Sequence, residues 1–118
     1  FKGHPRNAGC FSRILGKYVR ENKDLSLMLA LKKCSYWPAQ RLEKCAPAFK
    51  NKGRIKVGAD ADLIVFDGKT IIDNSTFTNA AQYSSGIKYT LVNGVAVVKN
   101  GKFQKDIFPG KAARGQIR

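Results

Sequence analysis

The sequence predicts an α+β chain, with helices in its first half and strands in its second. Three observations carry this. Apolar residues recur at helical spacing from Phe11 to Val19. Glycines punctuate the second half at Gly53, Gly58, Gly68, Gly86, Gly94, Gly101 and Gly110, with β-type runs between them. Asn93-Gly94, set between two such runs, is the strongest short hairpin signal.

Each element follows from local chemistry. Phe11, Ile14, Leu15, Tyr18 and Val19 fall at i, i+3, i+4, i+7 and i+8, which is one stripe of a 3.6-residue helix. Arg13, Lys17, Arg20 and Glu21 mostly take the other face. Asn22 to Asp24 break that pattern. Ser26 can cap a second helix running to about Cys34, with Leu27, Leu31 and Cys34 on one face. Leu25, Met28 and Leu29 widen the stripe, which points to burial on more than one side. Pro38 suits the first turn of a third, short helix to Lys44, where its missing N–H is not needed, and Pro47 ends it. Cys34 and Cys45 are expected as packed core thiols, and Tyr36 and Trp37 as packing between the two halves.

In the second half, Asp62 to Asp67 reads as a continuous apolar strand flanked by acids. Lys88 to Val92 and Val95 to Val98 form the predicted hairpin, and Asn100-Gly101 turns the chain into Phe103. Ile87 to Gln104 is therefore a three-stranded meander. Asp73 to Ser85 is polar and turn-rich, a long connection. The change of character between Pro47 and Lys52 divides the chain into units 1–48 and 49–118.

Totals exclude several classes. At 118 residues there is room for one ordinary domain or for the ends of two. No apolar run approaches the roughly 18 to 20 residues that span a bilayer, so no membrane partner is expected. Phe1 to Cys10 lacks the apolar core of a signal peptide. The net charge of +14 invites a nucleic-acid reading. However, +11 of it lies in residues 1–56, scattered along helix faces, and only +3 in residues 57–118. There is no aromatic RNA-binding strand and no zinc-finger spacing, so no specific nucleic-acid partner is expected. Three cysteines without a CxxC pair favour reduced thiols and a cytoplasmic setting. With one histidine and scattered cysteines, the chain is poorly equipped to hold zinc. The opening has no methionine and runs from a loop straight into a helix, which reads as the tail of something larger.

Three stretches resemble a known family. His4-Pro5-Arg6, Gly9 and Phe11 to Glu21 are similar to the segment HPR…G-F-x-R-x-L-G-x-Y-V-R-E. Pro38-Ala39, Arg41-Leu42, Gly53-Arg54-Ile55, Gly58 and Ala61 to Asp67 are similar to PA-x-R-L…G-x-I…G-x-x-A-D-L-V-V-F-D. Tyr83, Gly86-Ile87, Leu91 to Gly94, Val97-Val98, Gly101 and Pro109-Gly110 are similar to the closing segment Q-Y…G-I…V-L-V-N-G…V-V…G…P-G-R. Together they resemble the C-terminal part of N-acyl-D-amino-acid deacylases (D-aminoacylases) of the metal-dependent amidohydrolase superfamily. The middle segment is shared with dihydropyrimidinases and dihydroorotases; the first discriminates. Leu29-Ala30 departs from the family's acidic residues there, which points to an extra apolar contact, and Cys10 stands where a small residue or Thr is usual.

The resemblance implies that the helices are the terminal helices of a (β/α)₈ barrel, and the strands the C-terminal strands of a small β-sandwich. It implies zinc-dependent hydrolysis of the amide of an N-acyl-D-amino acid by a zinc-bound hydroxide, with an aspartate moving the proton. The zinc ligands and that aspartate lie outside this chain, so the chain alone is expected to be inactive and to hold no metal. No catalytic residue is expected here. Arg6 and His4, in the loop facing the catalytic end of the barrel, are the candidate substrate-binding residues. By resemblance, Arg6 grips the substrate carboxylate with a guanidinium fork; the alternative is a salt bridge clamping the loop. His4 donates to the catalytic aspartate or orients the loop; the alternative is a structural loop histidine bonded to backbone. Asp60 and Asp62 read as a turn acid and a strand-entry residue, the second able to accept a backbone N–H. An open sheet edge predicts self-association of the isolated chain. A cyclic amidase of the hydantoinase type and a basic nucleic-acid module are the alternatives.

Overall fold

The computed structural model describes residues 3–115; the outer ends of the two predicted units, residues 1–2 and 116–118, lie outside them. Helix α1 runs Arg6–Arg13 and continues without a break into a π-helical stretch, Ile14–Glu21. Asn22, whose N–H bonds the Lys17 carbonyl, and Lys23 in the left-handed region (φ 60°) end it. Helix α2 (Leu27–Leu31) opens as expected, with the Ser26 hydroxyl accepting the Leu29 N–H at 3.2 Å.

The next helix departs from expectation. Instead of ending near Cys34, α2 runs through a second π-helical stretch, Lys32–Tyr36, directly into α3, Trp37–Leu42. Pro38 therefore sits inside a continuous helical segment. Proline lacks an N–H and its ring collides with the carbonyl four residues back in a regular helix. A wide turn just before it, closed by the Trp37 N–H on the Lys32 carbonyl, supplies the missing room. Pro47 also differs: it begins a 3₁₀ turn, Pro47–Asn51, while the helix has already ended at Leu42.

The second half is a four-stranded antiparallel sheet in the order β1-β2-β3-β4, with β1 Leu63–Phe66, β2 Ile87–Val92, β3 Val95–Lys99 and β4 Lys102–Phe103. Both hairpin turns carry two left-handed residues, Asn93 (φ 48°) and Gly94 (φ 79°), then Asn100 (φ 50°) and Gly101 (φ 74°). That geometry matches the twist of the flanking strands. The predicted meander is thus present, and β1 pairs with it through Leu63↔Leu91 and Val65↔Tyr89. Asp73 to Ser85 is a long connection, tied at its feet by the Ile72↔Ser85 bridge.

The core is small and joins the two halves. Leu15 and Ala30 from the helices meet Ile71, which follows β1 and is 1% exposed. Phe66 and Ile87 pack against them from the sheet. Ala30 has no exposed surface, so the departure at Leu29-Ala30 does serve an apolar contact. Two glycines permit this closeness. A Cβ on Gly16 would lie 2.6 Å from the Ile71 carbonyl oxygen, and one on Gly86 (φ 83°) 2.5 Å from the Ile71 Cα. The Arg20 guanidinium donates to the same Ile71 carbonyl.

Several expected burials do not occur. Phe11, Tyr18, Leu27, Met28 and Trp37 are all exposed. The buried face of the first helix is instead Gly9, Ser12, Leu15 and Gly16, rotated from the predicted stripe toward the residues that let Ile71 and Asp73 approach. Trp37 lies under the Lys33 ammonium at 5.5 Å rather than between the halves. Tyr36 is half-buried beneath the Arg54 guanidinium at 5.1 Å. Cys45 falls in the turn after α3 and is exposed; Cys34 is half-buried, and burial raises its thiol pKa, the Cys10 thiol adding to the effect.

Candidate functional site

The first candidate residues lie where the loop enters α1. Pro5 is buried and seeds the helix, with the Ala8 and Gly9 N–H groups both bonded to its carbonyl. His4 sits just outside, exposed, and its Nδ1 accepts the backbone N–H of Arg6 at 3.2 Å. In the neutral imidazole that bond puts the proton on Nε2, leaving it as a donor. The Arg6 side chain is exposed, and among the described residues no carboxylate pairs with it. The helix start thus brings His4 and Arg6 together, one bonded to the other's backbone N–H and the second with a guanidinium unpaired among the described residues.

Residues the sequence did not single out complete the surroundings. Asp73 reaches back across the chain to α1, where its carboxylate accepts Arg13 Nε at 2.9 Å and the Ser75 N–H at 2.8 Å. Its side chain is 3% exposed. Burial pushes this carboxyl upward, but the Ser75 hydrogen bonds and the Arg13 guanidinium outweigh that and leave it below the ordinary aspartate range. Gly9 makes the approach possible, since a Cβ there would lie 1.7 Å from Asp73 Oδ1. Beyond Asp73, the connection places Phe77 edge-on to the His4 ring, with centroids 5.2 Å apart and planes at 83°. A cavity of about 110 Å³ lies beside the pair, lined by Gly3, His4, Asn7, Ala8, Ala80 and Ala81. Nothing local marked Asp73, since Gly9 lies before the predicted helix and only the observed helix, Arg6–Arg13, encloses it. Nothing in the periodicity marked Phe77. A larger concavity of about 330 Å³, at Trp37, Gln40 and Arg41, is lined by neither His4 nor Arg6.

Asp60 and Asp62 serve the scaffold, as expected. Both carboxylates hold the Lys52 ammonium, and Asp62 also accepts the Asn93 N–H at 2.8 Å. The Lys52 bond and then the Asn93 bond keep Asp62 below the ordinary aspartate range, and the Asp62 and Asp60 bonds raise Lys52. Lys52 is thus a structural clamp between the 3₁₀ turn and the sheet, not a solvated loop residue. Among the described residues no group of three or more His, Cys, Asp or Glu could hold a metal ion, and no helix is long and apolar enough to cross a membrane.

Comparison with known proteins gives this geometry a context. A model of the amidohydrolase family matches residues 1–98. An N-acyl-D-glutamate deacylase of Alcaligenes xylosoxydans xylosoxydans is 43% identical over 94 residues, covering 80% of this chain and 18% of that protein. A D-aminoacylase of the same organism is 33% identical over 110 residues, covering 93% and 21%. The crystal structure of N-acyl-D-glutamate deacylase from Bordetella bronchiseptica, complexed with zinc and a phosphonate mimic of the reaction's tetrahedral intermediate, superposes with a TM-score of 0.84. It is 35% identical, covering 97% of this chain and 23% of its own. The chain therefore spans about a fifth of the length of the relatives it matches.

Proposed function

This chain belongs to the amidohydrolase family, and we propose that it is part of a larger metal-dependent enzyme that hydrolyses the amide bond of N-acyl-D-amino acids. The observation that carries the reading is the family match over residues 1–98, which includes the discriminating His4 to Glu21 segment, joined to 43% identity with an N-acyl-D-glutamate deacylase. Among the described residues no group of His, Cys, Asp or Glu fits a metal centre. Zinc belongs to the rest of the enzyme, and this chain alone is inactive. No observation favours a cyclic amidase or a nucleic-acid module.

In this reading the helices close a (β/α)₈ barrel and residues 49–118 complete a small β-sandwich. The exposed apolar side chains support it: Phe11, Leu27, Met28 and Leu42 on the helices, and Ile64 and Val65 on β1, form faces that this chain leaves uncovered. The outer side of β1 is an open edge among the described residues, so the isolated chain self-associates there. Gel filtration showing a monomer at high concentration would count against that.

This chain's contribution to the reaction is to bind and orient. Arg6 takes the α-carboxylate of the substrate in two parallel hydrogen bonds; its exposed guanidinium, unpaired with any carboxylate among the described residues, is available for it. His4, with its proton on Nε2, orients the loop and offers a donor beside it. The test uses the whole protein with N-acetyl-D-glutamate, N-acetyl-D-aspartate, neutral N-acetyl-D-amino acids and their L-isomers. The D-isomers turn over and the L-isomers do not. Arg6→Ala raises KM about 100-fold, on the order expected for losing a bidentate charge pair, and Arg6→Lys restores part of it. Absence of D-isomer turnover would overturn the reading. Wild-type kinetics in Arg6→Ala would remove the role of Arg6.

A further inference from the structure

We propose that Phe77 is a positioning residue of the deacylase site: it holds the His4 imidazole, and through it the helix start that bears Arg6. This rests on the reading of Arg6 as the substrate's anchor. The observation behind it is a phenyl ring where solvation alone gives no reason for one. Phe77 lies in the polar Asp73–Ser85 connection and is 83% exposed, so burial within this chain explains little of its presence. What it does have is an edge-to-face contact with His4.

The connection is built to present that ring. Its feet are tied to each other by the Ile72↔Ser85 bridge and by Asn74, whose amide donates to the Tyr83 carbonyl and the Ser85 hydroxyl, each at 2.8 Å. Its first residue is tied to the helix by the Asp73–Arg13 pair. Its tip is a closed turn. The Thr76 N–H bonds the Asn79 carbonyl and the Asn79 N–H bonds the Thr76 hydroxyl, both at 3.0 Å, with Phe77 and Thr78 between them. Ala80 and Ala81 then face Ala8 and Asn7 across the small cavity, so small side chains keep the loop close to the helix start.

The mechanical chain is short. The Phe77 ring restricts rotation of the imidazole. The imidazole in its fixed orientation presents Nδ1 to the Arg6 N–H. That bond satisfies a donor in the first turn of α1, which has no side-chain cap. Removing the ring frees the imidazole to turn and loosens the residue whose guanidinium must meet the substrate.

The experiment compares Phe77→Ala and Phe77→Tyr in the whole protein. Phe108→Ala serves as the control, an equally exposed phenyl in the tail that is tied to Asn93. Phe77→Ala raises KM for N-acyl-D-amino acids about 3- to 10-fold, the range of one aromatic contact, with kcat within about 2-fold. Phe77→Tyr keeps the wild-type KM. In an Arg6→Ala background, Phe77→Ala adds nothing further, because its effect passes through Arg6. Phe77→Ala kinetics equal to those of Phe108→Ala overturn the inference, as does an undiminished effect on top of Arg6→Ala. If Arg6→Ala is impaired while Phe77→Ala is not, the deacylase reading stands and this one falls. If the whole protein has no D-isomer turnover, both fall.

Discussion

The junction around Ile71 and the outer faces of the two helical segments are made of similar side chains with opposite exposure. Leu15, Ala30 and Ile71 are nearly sealed, while Phe11 and Met28, from the same helices, are each 63% exposed. Helical spacing marks both sets as apolar and does not tell them apart. What separates them is close backbone approach. Gly9 and Gly16 stand where a side chain would collide with Asp73 and Ile71, and Gly86 packs against Ile71 from within the second half, so the backbones close up there, as they also do where Gly53 faces Ser35 and Ala39. The junction is a seam this chain makes by itself; the outer faces have no partner within it.

The hardest blow to the seam is Gly86→Val. Its φ of 83° is strained for any L side chain, and its Cβ would strike the Ile71 backbone. The expected loss is about 3 kcal/mol or more, combining the left-handed penalty with overpacking. Thermal unfolding of the whole protein reads it, and an unchanged midpoint would show that the seam is not where the halves are held. Next is Ile71→Ala, which opens a cavity at the most enclosed side chain and costs about 2–4 kcal/mol. The same truncation at Leu27, which is exposed, should cost much less in the isolated chain.

A pH scan tests the clamp that ties the sheet to the 3₁₀ turn. The Lys52 bond and the Asn93 N–H hold Asp62 below its unfolded pKa. A group with a depressed folded pKa contributes stability that is present above its unfolded value and lost as pH falls through the folded value. The clamp therefore holds at neutral pH and weakens below about pH 4. Lys52 is raised, so its share is present below the ordinary lysine range and lost as pH rises through the folded value. Asp62→Asn costs about 1 kcal/mol at pH 7, since the pair is partly exposed, and flattens the acid limb of the stability curve. An acid limb identical to wild type would mean that Asp73 or Asp67 carries it instead.

Features set by neighbouring residues were legible in the sequence. The Ser26 cap, both Asn-Gly hairpins, the apolar strand at Leu63–Phe66 and the order of helices before strands all depend on chemistry within a few residues. Features set across the chain were not. Pro38 reads as a helix start until a wide π turn is seen to accommodate it. The burial of Leu15 and Ala30 depends on Ile71, which lies 56 and 41 residues further on. Trp37 and Cys45 look like core residues by type, and nothing local reveals that they face outward. At the candidate site, His4 and Arg6 were legible through the resemblance of the His4-Pro5-Arg6 segment, though the helix was expected only from Phe11 and begins at Arg6. Phe77 and Asp73 were not, because they arrive from a polar connection without period.

The smallest expected effect probes the other side of the comparison. Met28→Ser replaces an apolar side chain that the described structure leaves mostly in water. In the 118-residue chain by itself it should change unfolding by no more than about 0.5 kcal/mol, and it should reduce self-association by shrinking the apolar surface. In the whole protein, if this face lies against the rest of a barrel, the same substitution removes a buried side chain and lowers stability by about 1–3 kcal/mol. The same pair of measurements on Phe11→Ser provides an independent second case. An equal, negligible effect in both settings would mean that the face is ordinary surface and that the helical half is not built to be covered. A cost confined to the whole protein would locate the covering on the face where periodicity and exposure disagree.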